Sequence, residues 1–126
     1  MNRVVHFEIH ASNPDQLAAF YAKVFGWKVN HLPELDYWLL DTGDGDGING
    51  GLLRRRGAPA TNGQPVNAYV CSLGVKSVDE SFRAALASGA TEALPKQAIP
   101  GVGYQAYIKD PDGNIVGLHQ RDPNAK

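Results

Sequence analysis

The stretch AYIKDPDGNIVGLHQ, Ala106 to Gln120, reads as strand, tight turn and strand. Pro111 presets φ for the second position of a type I turn, Asp110 suits the first, and Gly113 can take positive φ after it. The second strand alternates. Val116 and Leu118 point one way, while Ile115, Gly117 and His119 point the other. A histidine that shares a strand face with a glycine suggests the floor of a pocket. Working outward, Val4-Val5-His6-Phe7-Glu8-Ile9-His10 has the same character. Phe7 and Ile9 share one face, and His6, Glu8 and His10 share the other. Both strands are expected in one cup-shaped sheet, with helices on the apolar faces and ionisable side chains lining the bowl.

The chain between these strands repeats an order. Ser12 or Asn13 suits an N-cap, Pro14 the first helical position, and Asp15 the positive helix end. Leu17, Phe20, Tyr21, Val24 and Phe25 follow at helical spacing, and Gly26 stops the helix. Strands are expected at Trp27–Asn30, Tyr37–Asp41 and Ile48–Arg54, with His31 in a surface loop. Residues 57–66 read as a Pro/Gly-containing linker. A strand from Ala68 to Val75 restarts the order. A helix over 78–88 follows, with Phe82, Ala85 and Leu86 as its apolar stripe and Gly89 as its stop. Strands at Thr91–Leu94, Gly103–Lys109 and Asn114–Gln120 complete it. Each half reads β-α-β-β-β: module one is 1–56 and module two 67–120, within a single domain 1–126.

Composition bounds the function. At 126 residues the chain suits one domain, and a formal net charge of −1 gives no field that favours nucleic acid. No apolar run approaches a membrane span, and the N-terminal residues lack a signal peptide's pattern, so a cytoplasmic location is expected. The single Cys71 excludes an intrachain disulfide and reads as a small buried hydrophobe.

Three local motifs dissolve on inspection. Gly45 to Gly50 matches GxGxxG, but no helix can follow before Gly57 and Pro59. Asp44 and Asp46 begin a calcium-like loop, yet Ile48 takes the next ligand place and no Glu closes it. Arg54-Arg55-Arg56 reads as a solvated strand end without the surrounding basic surface that nucleic acid needs.

The segments HFEI at His6–Ile9, FYAKVFGW at Phe20–Trp27, INGG at Ile48–Gly51, IPGVGY at Ile99–Tyr104, and the DPDGN and GLHQ elements resemble the vicinal oxygen chelate superfamily. Its members include glyoxalases, bleomycin-resistance proteins and extradiol dioxygenases. The resemblance covers nearly the whole chain. It implies an α+β fold: two βαβββ modules forming a partly open mixed β-barrel around a pocket, with helices outside. Metal-dependent relatives hold one divalent ion with a His on the first strand, a His or Glu on the first strand of module two, and a Glu on the last strand. Some add a ligand on the fourth strand. His6 falls on the first position. The second falls on Val70, or on Tyr69 if the alignment slips by one. The last falls on Gly117, and the fourth-strand region is Asn49-Gly50-Gly51-Leu52. One imidazole falls short of the roughly three protein ligands that a catalytic divalent ion normally needs.

The resemblance therefore implies a small-molecule-binding protein that uses no metal or other cofactor. A Glu beside a His can fix its tautomer, which makes His6 and Glu8 the candidate catalytic pair. His10, Trp38, Gly51, Val70, Tyr104, Gly117 and His119 are the candidate ligand-binding positions. Parity alone does not say which of Tyr37 and Trp38 faces the pocket. The alternative is a metal-dependent lyase, isomerase or dioxygenase of the glyoxalase type, with an atypical set such as His6, Glu8 and His119. Expected partners are a small-molecule ligand and a second copy of the chain, with no nucleic acid and no membrane.

Overall fold

The computed structural model describes residues 1–65 and 69–126. Among them, eight strands and two helices follow the order β1 (Arg3–Ala11), α1 (Pro14–Phe25), β2 (Lys28–Leu32), β3 (Tyr37–Asp41), β4 (Gly50–Arg54), β5 (Val70–Gly74), α2 (Val78–Ala87), β6 (Thr91–Ile99), β7 (Gly103–Lys109) and β8 (Ile115–Arg121). This is the α+β class and the doubled β-α-β-β-β order expected from the sequence. The boundary between linker and module two, and the strand start at Ala68, lie outside the described residues. No described helix is long and apolar enough to cross a membrane.

The chain forms two compact units. One comprises residues 6–69 and the other residues 1–5 with 70–126, so β1 contributes residues to both. In the first unit the strands run β2-β3-β4-β1. The pairs β2–β3 and β3–β4 are antiparallel, and β4–β1 is parallel. In the second unit the order is β5-β8-β7-β6, with β5–β8 parallel and the other pairs antiparallel. Residues 3–5 flank β5 there: the Asn2 N–H donates to the Gly74 carbonyl at 2.7 Å. A parallel first-to-last pair is what a helix between strands one and two permits, because parallel neighbours need a crossover rather than a hairpin.

Local chemistry fixes the helices. Asn13 is the N-cap of α1, its side-chain oxygen accepting from the Gln16 N–H. Gly26, at φ +74°, ends the helix and returns its N–H to the Ala22 carbonyl. Ser77 caps α2 in the same way. The α1 stripe differs from expectation. Pro14 and Ala18 are its buried residues, whereas Phe20, Val24 and Phe25 are 49%, 54% and 60% exposed. A row through positions 14 and 18 faces the strands, and a helical rotation of about 100° per residue carries 20 and 24 away from it.

Three strand boundaries also differ. β2 extends to Leu32, so His31 is a strand residue stacked on Trp38 rather than a loop residue. A short 3-10 turn at Pro33–Leu35 makes the β2–β3 connection. β4 starts at Gly50, two residues later than expected. β6 runs through Pro95 to Ile99, with register shifts on both sides of Leu94. β6 ends its unit's strand order, where a proline's missing donor and a bulge are tolerated.

The DPDGN turn forms as expected. The Asp110 carboxylate accepts from the Asp112 and Asn114 N–H groups, and Gly113 has φ +87°. The Asn114 backbone hydrogen bond, with its side-chain bond, holds the Asp110 carboxyl below its usual range. On the α2 side of this unit, Val75, Val78, Ala106, Ile108 and Leu118 form the core, and Val116 and Phe82 pack against it. In the other unit Phe7 stacks on Tyr69 and meets Trp27, which in turn stacks on Tyr21 of α1.

Candidate functional site

In the unit of residues 6–69, β4 lies between β1 and β3. Gly51 is level with Glu8 on one side and Leu39 on the other. Tyr37 is level with Leu53, two residues along β4. Gly51 has no Cβ, so the Tyr37 ring lies diagonally across β4 and occupies the place of a Gly51 side chain. Its hydroxyl thereby reaches β1. It donates to Glu8 Oε2 at 2.9 Å and lies 2.8 Å from His6 Nε2.

A phenol has one proton, and an ionised carboxylate only accepts. With the Tyr37 proton on Glu8, His6 Nε2 must carry a hydrogen and donate to the phenol oxygen. The three groups form a relay, His6 to Tyr37 to Glu8, and Glu8 is only 8% exposed.

The unit that holds β5–β8 contains a counterpart. β8 lies between β5 and β7, and Gly117 is level with Ser72 and Tyr107. Gln105 is level with His119, two residues along β8. A Cβ at Gly117 would collide with the Ser72 hydroxyl and stand 2.7 Å from the Gln105 amide nitrogen. The missing side chain lets Gln105 cross β8: its Nε2 donates to Ser72 Oγ at 2.9 Å, and its Oε1 lies 2.9 Å from His119 Nδ1. Burial pushes the His119 pKa below its usual value. Gly51 with Tyr37 and Gly117 with Gln105 are thus equivalent places in the two repeats. One cluster ends on a carboxylate and the other on a hydroxyl.

The other sequence-selected positions are placed as follows. His6 and Glu8 meet through Tyr37, and His119 belongs to the other unit's cluster. Trp38 is 3% exposed and turns toward α1, its Nε1 donating to Asp15 at 3.0 Å. Tyr37 is the member of the adjacent pair that meets His6 and Glu8. Tyr104 packs with the α2 core and lies under Lys96, on the opposite β7 face from Gln105. The His10 carbonyl accepts from Arg55 Nη2. Val70 opens β5 and precedes the cap Ser77 at the spacing by which His6 precedes Asn13. Among the described residues, no three His, Cys, Asp or Glu side chains gather as a metal-binding group. Sequence reasoning left Tyr37 and Trp38 as alternatives and did not single out Ser72 or Gln105; the available signal was the pair of in-strand glycines.

A family model described as a glyoxalase-like domain matches residues 5–118. The chain belongs to this family. Solved structures of the glyoxalase fold agree with that membership. A methylmalonyl-CoA epimerase in complex with methylmalonyl-CoA and NH4+ superposes with a TM-score of 0.69 at 19% identity, covering 100% of this chain and 99% of that one. A variant of Streptomyces coelicolor methylmalonyl-CoA epimerase in complex with 2-nitronate-propionyl-CoA gives 0.67 at 19% identity, covering 96% and 98%. A glyoxalase/bleomycin resistance protein/dioxygenase superfamily member from Vibrio splendidus 12B01 gives 0.63 at 18% identity, covering 95% and 98%. At these identities the likeness concerns the glyoxalase-like fold alone. No curated protein sequence matches the chain.

Proposed function

We propose that this glyoxalase-like chain binds a small organic molecule without the superfamily's divalent metal, using His6, Tyr37 and Glu8 as a polar relay at the site. The observation that carries the reading is the Tyr37 hydroxyl in the place of a Gly51 side chain, bonded to Glu8 and His6. Two of the positions at which the resemblance places metal ligands, Val70 and Gly117, bring no side-chain donor atom. The space beside both glycines is filled by polar side chains of neighbouring strands. A lone imidazole supplies too little binding energy to keep a divalent ion. The donor set therefore does not fit the ion.

If the site turns over its ligand, His6, Tyr37 and Glu8 are the groups that would exchange a proton with it. The neighbours that bind CoA esters make carbonyl-containing small molecules a reasonable first panel. We also propose a homodimer, supported by the exposed apolar side chains of α1 at Phe20, Val24 and Phe25. A cytoplasmic location is supported by the free thiol of Cys71.

The test is elemental analysis of protein purified without chelator, beside a His6→Ala control. A ligand panel is read in parallel by thermal shift on wild type and Tyr37→Phe. Metal well below one equivalent, with ligand shifts that Tyr37→Phe weakens, is expected. Near-stoichiometric metal that disappears in His6→Ala would refute the reading and favour a metal-dependent glyoxalase-type enzyme.

A further inference from the structure

The cluster at Gly117 has a defined hydrogen-bond polarity. Ser72 is 1% exposed, so its hydroxyl must be satisfied inside the protein. The Gln105 amide has a donor end and an acceptor end. Its Nε2 meets Ser72 Oγ, which turns Oε1 toward His119 Nδ1. A carbonyl oxygen only accepts, so Nδ1 must carry the hydrogen. A neutral imidazole has one N–H, and the lone pair is then on Nε2. The ring is half-buried, and among the described residues it has no hydrogen bond other than that to Gln105. Burial disfavours the cation, so the ring is neutral near physiological pH.

We propose that Ser72 and Gln105 act as positioning residues that lock His119 in its Nδ1–H form, so that Nε2 is an acceptor for a neutral donor, a hydroxyl or N–H, on a bound small molecule. The ligand class rests on the ligand-binding reading above, whereas the tautomer does not. A carboxylate or phosphate at the same place would set lone pair against lone pair. Relief would require protonating a ring whose burial opposes charge. The cluster therefore selects phenol-like or amide-like ligands over anions of the same size.

The experiment has two arms. Long-range 1H–15N correlation spectra of ligand-free protein near neutral pH report which nitrogen of His119 is protonated. Wild type is expected to show an Nδ1–H ring. Gln105→Leu and Ser72→Ala are expected to move it toward the Nε2–H form, and Gln105→Glu, which keeps the acceptor, is expected to retain it. An Nε2–H ring in wild type, a measurement that needs no variant to fold, overturns the proposal, as does a ring unchanged by Gln105→Leu. In the second arm, phenol and benzoate are titrated while the His119 resonances are followed. Phenol is expected to bind about tenfold more tightly. Equal binding of benzoate, or no response of His119 to either probe, overturns the ligand assignment. Metal content, which tests the metal-free reading, is independent of both arms.

Discussion

Gly51→Ala is the most direct perturbation of the His6–Tyr37–Glu8 relay. Gly51 has no positive φ, so alanine suits its backbone and shrinks the unfolded ensemble, a gain of about 0.4–1 kcal/mol. Against this, the new methyl group would coincide with the end of the Tyr37 ring, which must swing away. That movement breaks the bond to the Glu8 carboxylate, worth about 1.5–3 kcal/mol, and the bond to His6, worth about 0.5–1.5 kcal/mol. The net expectation is a loss of about 1–4 kcal/mol. With a urea slope in the usual range of about 1–3 kcal/mol/M, the midpoint falls by roughly 0.3–4 M at constant slope. Tyr37→Ala supplies the control. In that background the obstructing ring is absent, so Gly51→Ala should become neutral or slightly stabilising. A Gly51→Ala midpoint equal to wild type, or the same loss in both backgrounds, would show that Tyr37 does not occupy the glycine's place.

Four further outcomes follow from the same structure. Trp38→Phe removes the indole N–H bonded to Asp15 and part of a ring that is 3% exposed, and should cost about 2–4 kcal/mol by urea denaturation. Asp15→Asn, which keeps an acceptor oxygen, should cost less than Trp38→Phe. His119 should titrate below the ordinary histidine value when followed by its ring protons, because burial disfavours its charged form. The unfolded chain then binds a proton more readily, so His119's contribution to stability is complete above its unfolded pKa and is lost as pH falls through its folded pKa, read as a urea midpoint that declines as pH falls below the ordinary histidine value. Arg54→Ala, which breaks an exposed ion pair with Asp36, should leave the urea midpoint unchanged.

Much of the fold was readable from the sequence because its signals are local. Asn13, Pro14 and Gly26 bound α1 through capping chemistry that involves only a few neighbouring residues. The parity of β8 set Val116 and Leu118 toward α2, and His119 opposite them. The site was less readable because its geometry depends on register between strands. Tyr37 and Trp38 alternate by definition, and only the pairing of Glu8 with Gly51 and of Tyr37 with Leu53 decides which reaches β1. Ser72 and Gln105 carry no motif, and their meeting depends on a side chain that Gly117 lacks. Tyr104 was legible in its placement. It shares parity with Ala106 and Ile108, both apolar and both buried, which already placed it on the helix side of β7.

The division of β1 bears on how the chain folds as it is made. Every strand of the unit of residues 6–69 is supplied by contiguous sequence, and its β2–β3–β4 meander closes through short connections. β5 has no such convenience. Its strand neighbours are residues 3–5 and β8, which come from opposite extremes of the sequence. During synthesis at about 5–20 residues per second, β5 waits several seconds for β8 to be translated. It also pairs with a segment more than half the chain away, a closure that is slow because its entropy is spent before the contacts form.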